Sequence, residues 1–274
     1  MHPLNQVTRR KSYNGSIKTS PKPDLSIIIP AYNEEKRLPQ TLVKLAKLLN
    51  DEGFLAEVIV VVEKSQDKTV AKAQQAIKGD KRFTIIDNKI QKGKGYAVRS
   101  GILQAQGKAV FFMDADFSTD GSAFRQFMDY FNKHKNTDVI IGSREHSQAD
   151  IVISQGFLRH RMGRMFSGLS RLIAGTGIKD TQCGFKAFRA GAASDIFRLQ
   201  TIDGFSFDVE VLMIAHRLGY KIAALPVIWS NSKDSRVNNL SKFVSLRDLW
   251  LIRRRLAKLP AKNAKSGKLH LTDG

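Results

Sequence analysis

The hydrophobic positions of the chain follow two alternating patterns over its first half. Short β-branched runs predict buried strands at residues 25–30, 57–62, 83–87, 109–113 and 138–142. Between them, apolar positions at helical spacing predict helices over residues 34–51 and 67–78 and a third that begins near Lys94. Strands that alternate with helices are typical of a mostly parallel sheet with helices on both faces. The pattern therefore predicts an α/β fold whose ligands bind at the carboxyl ends of the strands.

The second half of the chain has a less regular pattern. We expect a helix with an apolar face over residues 157–175, another helix over residues 207–218 and a strand over residues 221–228. A last helix over residues 243–259 mixes apolar side chains with several arginines. No internal repeat is visible in the sequence.

The two ends of the chain differ in composition from the part between them. Residues 1–24 are polar and basic and contain three prolines, so we expect a mobile arm. One globular domain is expected over residues 25–240. A basic amphipathic helix over residues 241–260 and a disordered tail over residues 261–274 would follow it.

Composition places the chain among globular proteins. Of its 274 residues 42% are hydrophobic, which is enough to bury a large core. The single cysteine, Cys183, cannot form an internal disulfide and suits a reducing compartment. The longest apolar runs, such as Val58 to Val62, fall far short of the ~18 residues that span a bilayer, and no apolar run follows Arg9 to Lys11. We therefore expect a cytoplasmic protein that is soluble or peripheral on a membrane.

The net charge of +20 calls for an acidic partner. Much of the excess lies at the ends of the chain. Residues 1–24 have five Lys and Arg against one Asp, and residues 242–274 have nine against two. Nucleic acid, anionic lipid headgroups and a diphosphate substrate would each suit this balance. Charge alone does not choose among them.

The strongest chemical signal is a pair of carboxylates. Asp114 and Asp116 directly follow the predicted strand that ends in Phe112-Met113, at the edge of the sheet where ligands bind. Two carboxylates held close together repel each other unless a cation neutralises them, and Mg²⁺ or Mn²⁺ suits such hard oxygen donors. The ion would bridge a diphosphate and take up the charge that develops as a nucleotide leaves. A solvated acidic turn that includes Asp120 is the alternative explanation.

Two other segments have the composition of a phosphate or nucleotide pocket. A glycine-rich turn over residues 93–101 opens a helix, where free amides, the helix dipole and Lys94 favour an anion. It lacks the Walker spacing, which disfavours an ATPase site. After the first strand, Tyr32 would stack on a base, while Asn33 and Glu34 would hold a ribose. Ordinary helix caps are the alternative explanation of both segments.

Together these segments resemble family 2 inverting glycosyltransferases. The resemblance is carried by Ile-Ile-Pro-Ala-Tyr-Asn-Glu-Glu at 28–35, Gly-Lys-Gly-Tyr-Ala-Val-Arg-Ser-Gly at 93–101 and Met-Asp-Ala-Asp at 113–116. Asp-Thr-Gln-Cys-Gly-Phe-Lys-Ala-Phe-Arg at 180–189 and Phe-Asp-Val-Glu at 207–210 are similar to the branch that transfers glucose or mannose to dolichyl and polyprenyl phosphates. The resemblance covers about residues 25–255. It implies a GT-A-like fold and inverting transfer of a hexose from UDP-glucose or GDP-mannose to a lipid phosphate.

The resemblance also implies roles for individual residues. The nucleotide sugar would be bound by Pro30, Ala31, Tyr32, Glu34, Glu63, Gly93, Lys94 and Asp114. Mg²⁺ or Mn²⁺ would be held by Asp114 and Asp116, with Ser118 as a further ligand. The acceptor phosphate would be bound by Arg144, Arg161, Arg164, Gln182 and Lys186, the last two in a loop. The candidate catalytic residues are Asp116, Arg144 and Asp208. For the arginines, a solvated helix face is the alternative.

One segment departs from the family pattern. Members usually have Asp-Asp-Gly-Ser after the second strand, and the second Asp contacts the base. This chain has Val62-Glu63-Lys64-Ser65 instead. Glu63 keeps a carboxylate with a longer reach, so it is expected to contact the base in the same way. The change leaves open which base is bound, and it also leaves open a catalytically weakened protein.

Two other functions remain compatible with the sequence. A glycosyltransferase with a soluble hydroxyl acceptor would need Asp208 or Glu210 as its base. A basic binding protein on an inactive transferase fold is the second alternative. No zinc-finger spacing, aromatic RNA-binding motif or basic region with heptads is present, so we expect no nucleic-acid partner. None of the six histidines lies in a motif, which argues against a histidine-centred mechanism.

The last helix supplies a candidate membrane contact. Trp250 stands close to Arg253, Arg254 and Arg255 in the sequence, a combination that suits the surface of an anionic membrane. A helix packed on the domain, with solvated arginines, is the alternative.

Overall fold

The computed structural model describes residues 21–144, 180–230 and 246–258. Its strands are β1 (Leu25–Ala31), β2 (Ala56–Val62), β3 (Phe83–Asp87), β4 (Ala109–Met113), β5 (Val139–Ser143), β6 (Phe185–Arg189) and β7 (Ile222–Pro226). Its helices are α1 (Leu38–Glu52), α2 (Thr69–Ala76), α3 (Lys94–Ile102), α4 (Ser122–Lys133), α5 (Ala190–Leu199), α6 (Phe207–Arg217) and α7 (Leu246–Leu256).

The strands form one seven-stranded sheet in the order β3-β2-β1-β4-β6-β5-β7. Pairing is parallel from β3 to β4 and between β5 and β7, whereas β6 runs antiparallel to both of its neighbours. The predicted α/β fold with a mostly parallel sheet is therefore confirmed. Because β6 alone is reversed, its amino end lies at the same edge of the sheet as the carboxyl ends of the other strands.

Two apolar cores cover the two faces of this sheet. Along β1, the side chains of Ile27 and Ile29 enter one core and that of Ile28 enters the other, as the two-residue period of a strand requires. Helices α1 and α4 bury their apolar residues in the first core. Helices α3, α5, α6 and α7 pack in the second core. Both faces are covered, which is why most strands are apolar throughout.

The order of the strands reverses between β1 and β4, and this reversal places the site. From β1 the chain goes to β2 on one side, and after β3 it returns to β4 on the other side. The β1–β4 pairing stops at Ile28 opposite Phe112, so Pro30 has a register partner on β2 but none on β4. A proline, which has no N–H to donate, is tolerated where a ladder has ended. The result is a crevice between the ends of β1 and β4, where ligands of open α/β sheets bind.

Several helix bounds differ from the prediction for local reasons. Helix α1 begins at Leu38, not at residue 34, because residues 34–37 form a turn in which the Glu34 carbonyl accepts hydrogen bonds from the amides of Arg37 and Leu38. Helix α2 begins at Thr69, whose amide donates to Asp67 Oδ1 at 3.0 Å. Helices α4 and α5 and strand β6 were not predicted.

Two predicted segments lie entirely outside the described residues, namely the helix over residues 157–175 and the tail over residues 261–274. Most of the predicted arm over residues 1–24 also lies outside them. Helix α7 lies within the predicted helix over residues 243–259. Among the helices in the described ranges, none is long and apolar enough to cross a membrane.

Candidate active site

Asp114 and Asp116 emerge at the end of β4, beside the crevice. The Asp114 amide donates to the Gly184 carbonyl at 3.2 Å, just before β6 begins. A Cβ atom on Gly184 would lie 2.0 Å from Asp114 Oδ2, so only glycine leaves room for this carboxylate. Asp116 Oδ1 accepts a hydrogen bond from the amide of the buried Ser118 at 3.1 Å. Ser118, the predicted further metal ligand, thus contributes a backbone contact that orients Asp116.

Lys94 faces this carboxylate pair from the start of α3. Its Nζ lies 2.7 Å from Asp114 Oδ1 and sits over the rings of Phe112 and Phe207 at 5.7 and 5.8 Å. Burial works against the lysine charge, but the carboxylates of Asp114 and Asp208 outweigh it and raise the pKa of Lys94 above the usual lysine value. The glycine-rich turn therefore presents a permanent cation to the crevice.

Glu63 holds that turn from the end of β2. Its carboxylate is buried and accepts hydrogen bonds from the amides of Lys92 and Gly93 at 2.9–3.0 Å. The sequence predicted that Glu63 contacts the nucleotide base. The structure places its oxygens on the backbone of the turn instead.

Asp116 is linked to the segment after β1 by Arg37. The Arg37 guanidinium forms a two-point ion pair with the Glu34 carboxylate, in which Nε lies 2.6 Å from Oε2, and its Nη1 lies 3.9 Å from Asp116 Oδ2. Glu34, a predicted nucleotide ligand, is thereby tied to the carboxylate pair. Arg37 was not predicted to belong to the site, although a cation three residues after Glu34 is the signal for such a pair.

The loops after β1 and β2 are joined by hydrogen bonds. Asn33, at a positive φ of 54°, donates its amide to Ser65 Oγ and accepts from the Gln66 amide at 2.8 Å. The Glu34 amide donates to Thr69 Oγ1 at 2.7 Å. These contacts leave the side chain of Tyr32 exposed beside the crevice, while Pro30 and Ala31 are buried in the strand.

Lys186 lies on β6 and not in a loop, which corrects its predicted position. Its side chain is fully buried, and its Nζ donates to Asp208 Oδ1 at 2.5 Å and to the Cys183 carbonyl at 2.7 Å. Asp208 lies near the start of α6, 5% exposed. Asp208 also interacts electrostatically with Lys94, which pairs with Asp114. Charges thus alternate along Lys186, Asp208, Lys94 and Asp114, and exposure of the side chains increases toward the crevice.

Glu210, the alternative base, has a different set of partners. Its buried carboxylate accepts hydrogen bonds from the amides of Thr201 and Ile202 and from Thr201 Oγ1, at 2.7–3.1 Å. These contacts hold the loop before α6. A structural role accounts for all of them.

Arg144 follows β5 and pairs with Asp180. Its Nε and Nη2 lie 2.8 and 2.9 Å from the two Asp180 oxygens, and its own amide donates to Oδ2 at 3.0 Å. Burial opposes the charge of Asp180, but Arg144 outweighs it and lowers the pKa of this carboxyl group. The guanidinium also lies 5.3 Å from the centre of the Trp229 ring. Asp180 was not predicted to be the partner of Arg144.

The other predicted acceptor residues are partly outside the described ranges. Gln182 is exposed, just before Cys183 and Gly184 at the amino end of β6. Arg161 and Arg164 lie in residues that the structure does not describe. Burial raises the pKa of the Cys183 thiol to about 11, so this cysteine is not an activated nucleophile.

The carboxylate oxygens at the crevice fit a divalent cation that would be coordinated partly by the protein and partly by a substrate. Within residues 21–144, 180–230 and 246–258, no three His, Cys, Asp or Glu side chains converge as a closed metal cage. Mg²⁺ in phosphate sites needs only one or two protein carboxylates, because the substrate and water supply the remaining oxygens. Asp114, with 41% of its side chain exposed, and Asp116 are such a pair.

Most of the chain matches the model of a known protein family. Residues 26–197 match the family model described as Glycosyl transferase family 2. A dolichyl-phosphate beta-glucosyltransferase of Dictyostelium discoideum is 34% identical over 240 residues, which are 84% of this chain and 73% of the relative. The human protein of the same description is 32% identical over 252 residues, 88% of this chain and 78% of the relative.

Solved structures show the same fold at lower sequence identity. Glucosyl-3-phosphoglycerate synthase from Mycobacterium tuberculosis, solved with Mn²⁺, UDP and phosphoglyceric acid, aligns with a TM-score of 0.60 and 16% identity. The alignment covers 88% of this chain and 80% of that chain. The predicted GT-A-like fold is confirmed by this likeness.

Proposed function

The chain belongs to glycosyltransferase family 2, and within this family we propose that it transfers glucose from UDP-glucose to dolichyl phosphate with inversion at the anomeric carbon. The observation that carries the proposal is the cluster of two carboxylates and an ammonium at the β1–β4 crevice, formed by Asp116, Asp114 and Lys94. This cluster suits a nucleoside diphosphate with a bound cation. The acceptor and the sugar are those in the names of the relatives from Dictyostelium discoideum and human. UDP, which the synthase from Mycobacterium tuberculosis binds, is the proposed nucleotide.

The proposed reaction is a single displacement. An oxygen of the lipid phosphate attacks the anomeric carbon while the bond from that carbon to the β-phosphate oxygen breaks, and its electron pair leaves with UDP. A phosphate acceptor is already anionic at pH 7, so the step needs no strong general base. This agrees with a site in which Asp208 is paired with Lys186 and Glu210 is engaged by backbone amides.

The donor is proposed to lie across the ends of β1, β2 and β4. Tyr32 would stack on the base, with Pro30, Ala31 and Glu34 lining the pocket, and the amides and ammonium of the Gly93–Lys94 turn would face the diphosphate. Asp114 and Asp116 would hold Mg²⁺ or Mn²⁺, which neutralises diphosphate charge when bound.

The acceptor is proposed to lie on the side of β5 and β6. Arg144 and the exposed Gln182 flank this side, and the sequence adds Arg161 and Arg164. Guanidinium groups match phosphate oxygens in geometry. Lys186 would have to break its ion pair with Asp208 to bind an acceptor phosphate, so we assign Lys186 to the ion pair and not to the acceptor site.

Nucleotide binding is the first test of the donor site. We expect UDP with Mn²⁺ to raise the melting temperature by about 5–10 °C at a UDP concentration of about 100 Kd, because a ligand that binds only the native state stabilises it. GDP, CDP and dTDP at the same concentration are expected to give smaller shifts. A differential scanning fluorimetry screen with and without Mn²⁺ measures this. A larger shift for GDP would indicate a GDP-sugar donor instead of UDP-glucose. The absence of a shift with every nucleotide would indicate a non-catalytic protein.

The outer face of α7 is proposed to contact an anionic membrane. Ile252 and Leu256 are buried against the second core, whereas Trp250 is 58% exposed and the Arg254 guanidinium lies 5.3 Å from the centre of its ring. Arg253 is also exposed. An aromatic side chain beside arginines is the composition of helices that lie at lipid headgroups.

Charge reversal on α7 tests the membrane contact. Arg253→Glu with Arg254→Glu is expected to weaken binding to phosphatidylserine vesicles by at least roughly tenfold, since each basic residue near such a surface contributes about 1 kcal/mol. Co-sedimentation with vesicles measures it. Lys44→Glu with Lys47→Glu makes the same charge change on α1, on the other face of the sheet, and is expected to have little effect. If both double variants lost vesicle binding equally, the attraction to the membrane would be non-specific and would not involve a particular face of α7.

A further inference from the structure

Glu63 occupies a position from which its carboxylate reaches the phosphate-binding turn. It follows β2 directly, and its own amide still donates to the Ala31 carbonyl at 2.9 Å, as in the strand. The residue is 3% exposed. Oε1 accepts from the Lys92 amide at 3.0 Å, and both oxygens accept from the Gly93 amide at 2.9 Å. A carboxylate in this environment makes charge-assisted hydrogen bonds, which are stronger than neutral ones.

The turn that Glu63 holds is also fixed from its other side. Gly93 has φ 122° and ψ 167°, a backbone conformation that other residues rarely adopt. A Cβ atom there would lie 2.6 Å from the Asp203 carbonyl oxygen, which accepts the Tyr96 amide at 3.1 Å. The turn is therefore enclosed between Glu63 and the loop before α6. Its next residue, Lys94, brings its Nζ to 2.7 Å from Asp114.

We propose that Glu63 is a positioning residue, which holds the Gly93–Lys94 turn so that the Lys94 ammonium faces the β-phosphate of the donor. In this role Glu63 does not contact the base. The proposal rests on the proposed function for the nature of the ligand. In the family pattern this position carries an aspartate that contacts the base. Here the side chain is longer by one methylene and its oxygens are directed to the backbone of the turn. Specificity for the base then depends on other residues of the crevice.

The two roles predict different losses when the charge of Glu63 is removed. In Glu63→Gln one carboxylate oxygen becomes an amide NH₂, which cannot accept from the Gly93 amide. A displaced turn mainly affects ligands that have a β-phosphate, because in the proposed complex the β-phosphate is the part of the donor that the Lys94 ammonium faces. A lost base contact would instead weaken every uridine ligand by the same factor.

Calorimetric titration of UDP, UMP and CDP separates these outcomes. In Glu63→Gln we expect UDP to bind roughly tenfold or more weakly, UMP to change by less than about twofold, and the preference for UDP over CDP to persist. The advantage of UDP over UMP is therefore lost while base discrimination stays. Equal weakening of UDP and UMP together with a lost preference over CDP would overturn the proposal.

A matched carboxylate on the same strand serves as the control. Glu57, in β2, accepts the Gln106 amide at 2.6 Å and the Ser26 hydroxyl at 2.5 Å, far from the crevice. Glu57→Gln removes a comparable hydrogen-bonded charge and is expected to leave all three affinities unchanged. If it lowers the advantage of UDP over UMP as Glu63→Gln does, the effect comes from general destabilisation and the positioning role is refuted.

Amide hydrogen exchange provides a readout that does not need a ligand. The amides of Lys92 and Gly93 are expected to exchange at least roughly tenfold faster in Glu63→Gln than in the wild-type chain. Glu63→Asp, whose carboxylate stops one methylene short of the turn, is expected to behave in the same way and serves if the glutamine variant does not fold. Unchanged exchange in both variants contradicts the proposal. A wild-type chain that binds no nucleotide refutes the proposed function, and exchange then still decides the role of Glu63.

Discussion

Replacing Asp116 by asparagine is expected to slow glucosyl transfer by roughly 10²–10³-fold while leaving the fold intact. Asparagine keeps an oxygen that accepts the Ser118 amide, so the turn after β4 retains its hydrogen bond. What it loses is the negative charge that faces Arg37 at 3.9 Å and that would hold the cation at the diphosphate. The rate is measured as transfer of labelled glucose from UDP-glucose to dolichyl phosphate, together with the affinity for Mn²⁺.

A nearby carboxylate offers the control for this experiment. Asp120 is exposed and accepts the Ser122 amide at 2.9 Å at the start of α4, four residues beyond Asp116. Asp120→Asn is expected to transfer glucose at nearly the wild-type rate. If Asp116→Asn remains as active as Asp120→Asn, the carboxylate pair is a solvated acidic turn and the proposed donor site is wrong.

The strands could be predicted from the sequence because their signal is local. Each of the runs at β1 to β4 is apolar and β-branched or aromatic enough to be recognised without its neighbours. Strand β6 has the sequence Phe-Lys-Ala-Phe-Arg, with two charged residues in five, and the charge on Lys186 concealed a fully buried position. Its burial depends on Asp208, twenty-two residues later, which no local pattern shows. Helix α4 was omitted although Phe124, Phe127 and Phe131 mark its buried face.

The same distinction applies to the site. Asp114, Asp116 and Lys94 were identified because each lies at a strand end or a helix start, which places it at the ligand edge whatever the tertiary packing. The partners of Glu63 and Arg144 depend on how distant loops meet. Glu63 reaches amides twenty-nine and thirty residues away, and Asp180 lies thirty-six residues after Arg144. Residue type identified both as candidate ligands, whereas their partners within the chain are visible only in the structure.

The buried pair of Lys186 and Asp208 should have the largest effect on stability. Lys186→Met leaves the Asp208 carboxylate inside the domain without the ammonium at 2.5 Å and removes the donor to the Cys183 carbonyl. Breaking one side of a buried ion pair costs about 3–5 kcal/mol, because the remaining charge stays desolvated. We therefore expect the free energy of unfolding, measured by urea titration, to fall by about that amount in Lys186→Met.

Two further variants separate this desolvation cost from simple loss of a contact. Lys186→Met combined with Asp208→Asn removes both charges, so it is expected to recover most of the stability that the single variant loses. Lys108→Met breaks an ion pair of similar length, 2.8 Å to Asp24, whose side chains are 69% and 40% exposed, and is expected to cost no more than about 1 kcal/mol. A double variant as unstable as Lys186→Met would show that packing of the lysine side chain, and not its charge, stabilises the end of β6. If Lys186→Met were as mild as Lys108→Met, water would reach Asp208, and the carboxylate would then be open to an acceptor at the crevice.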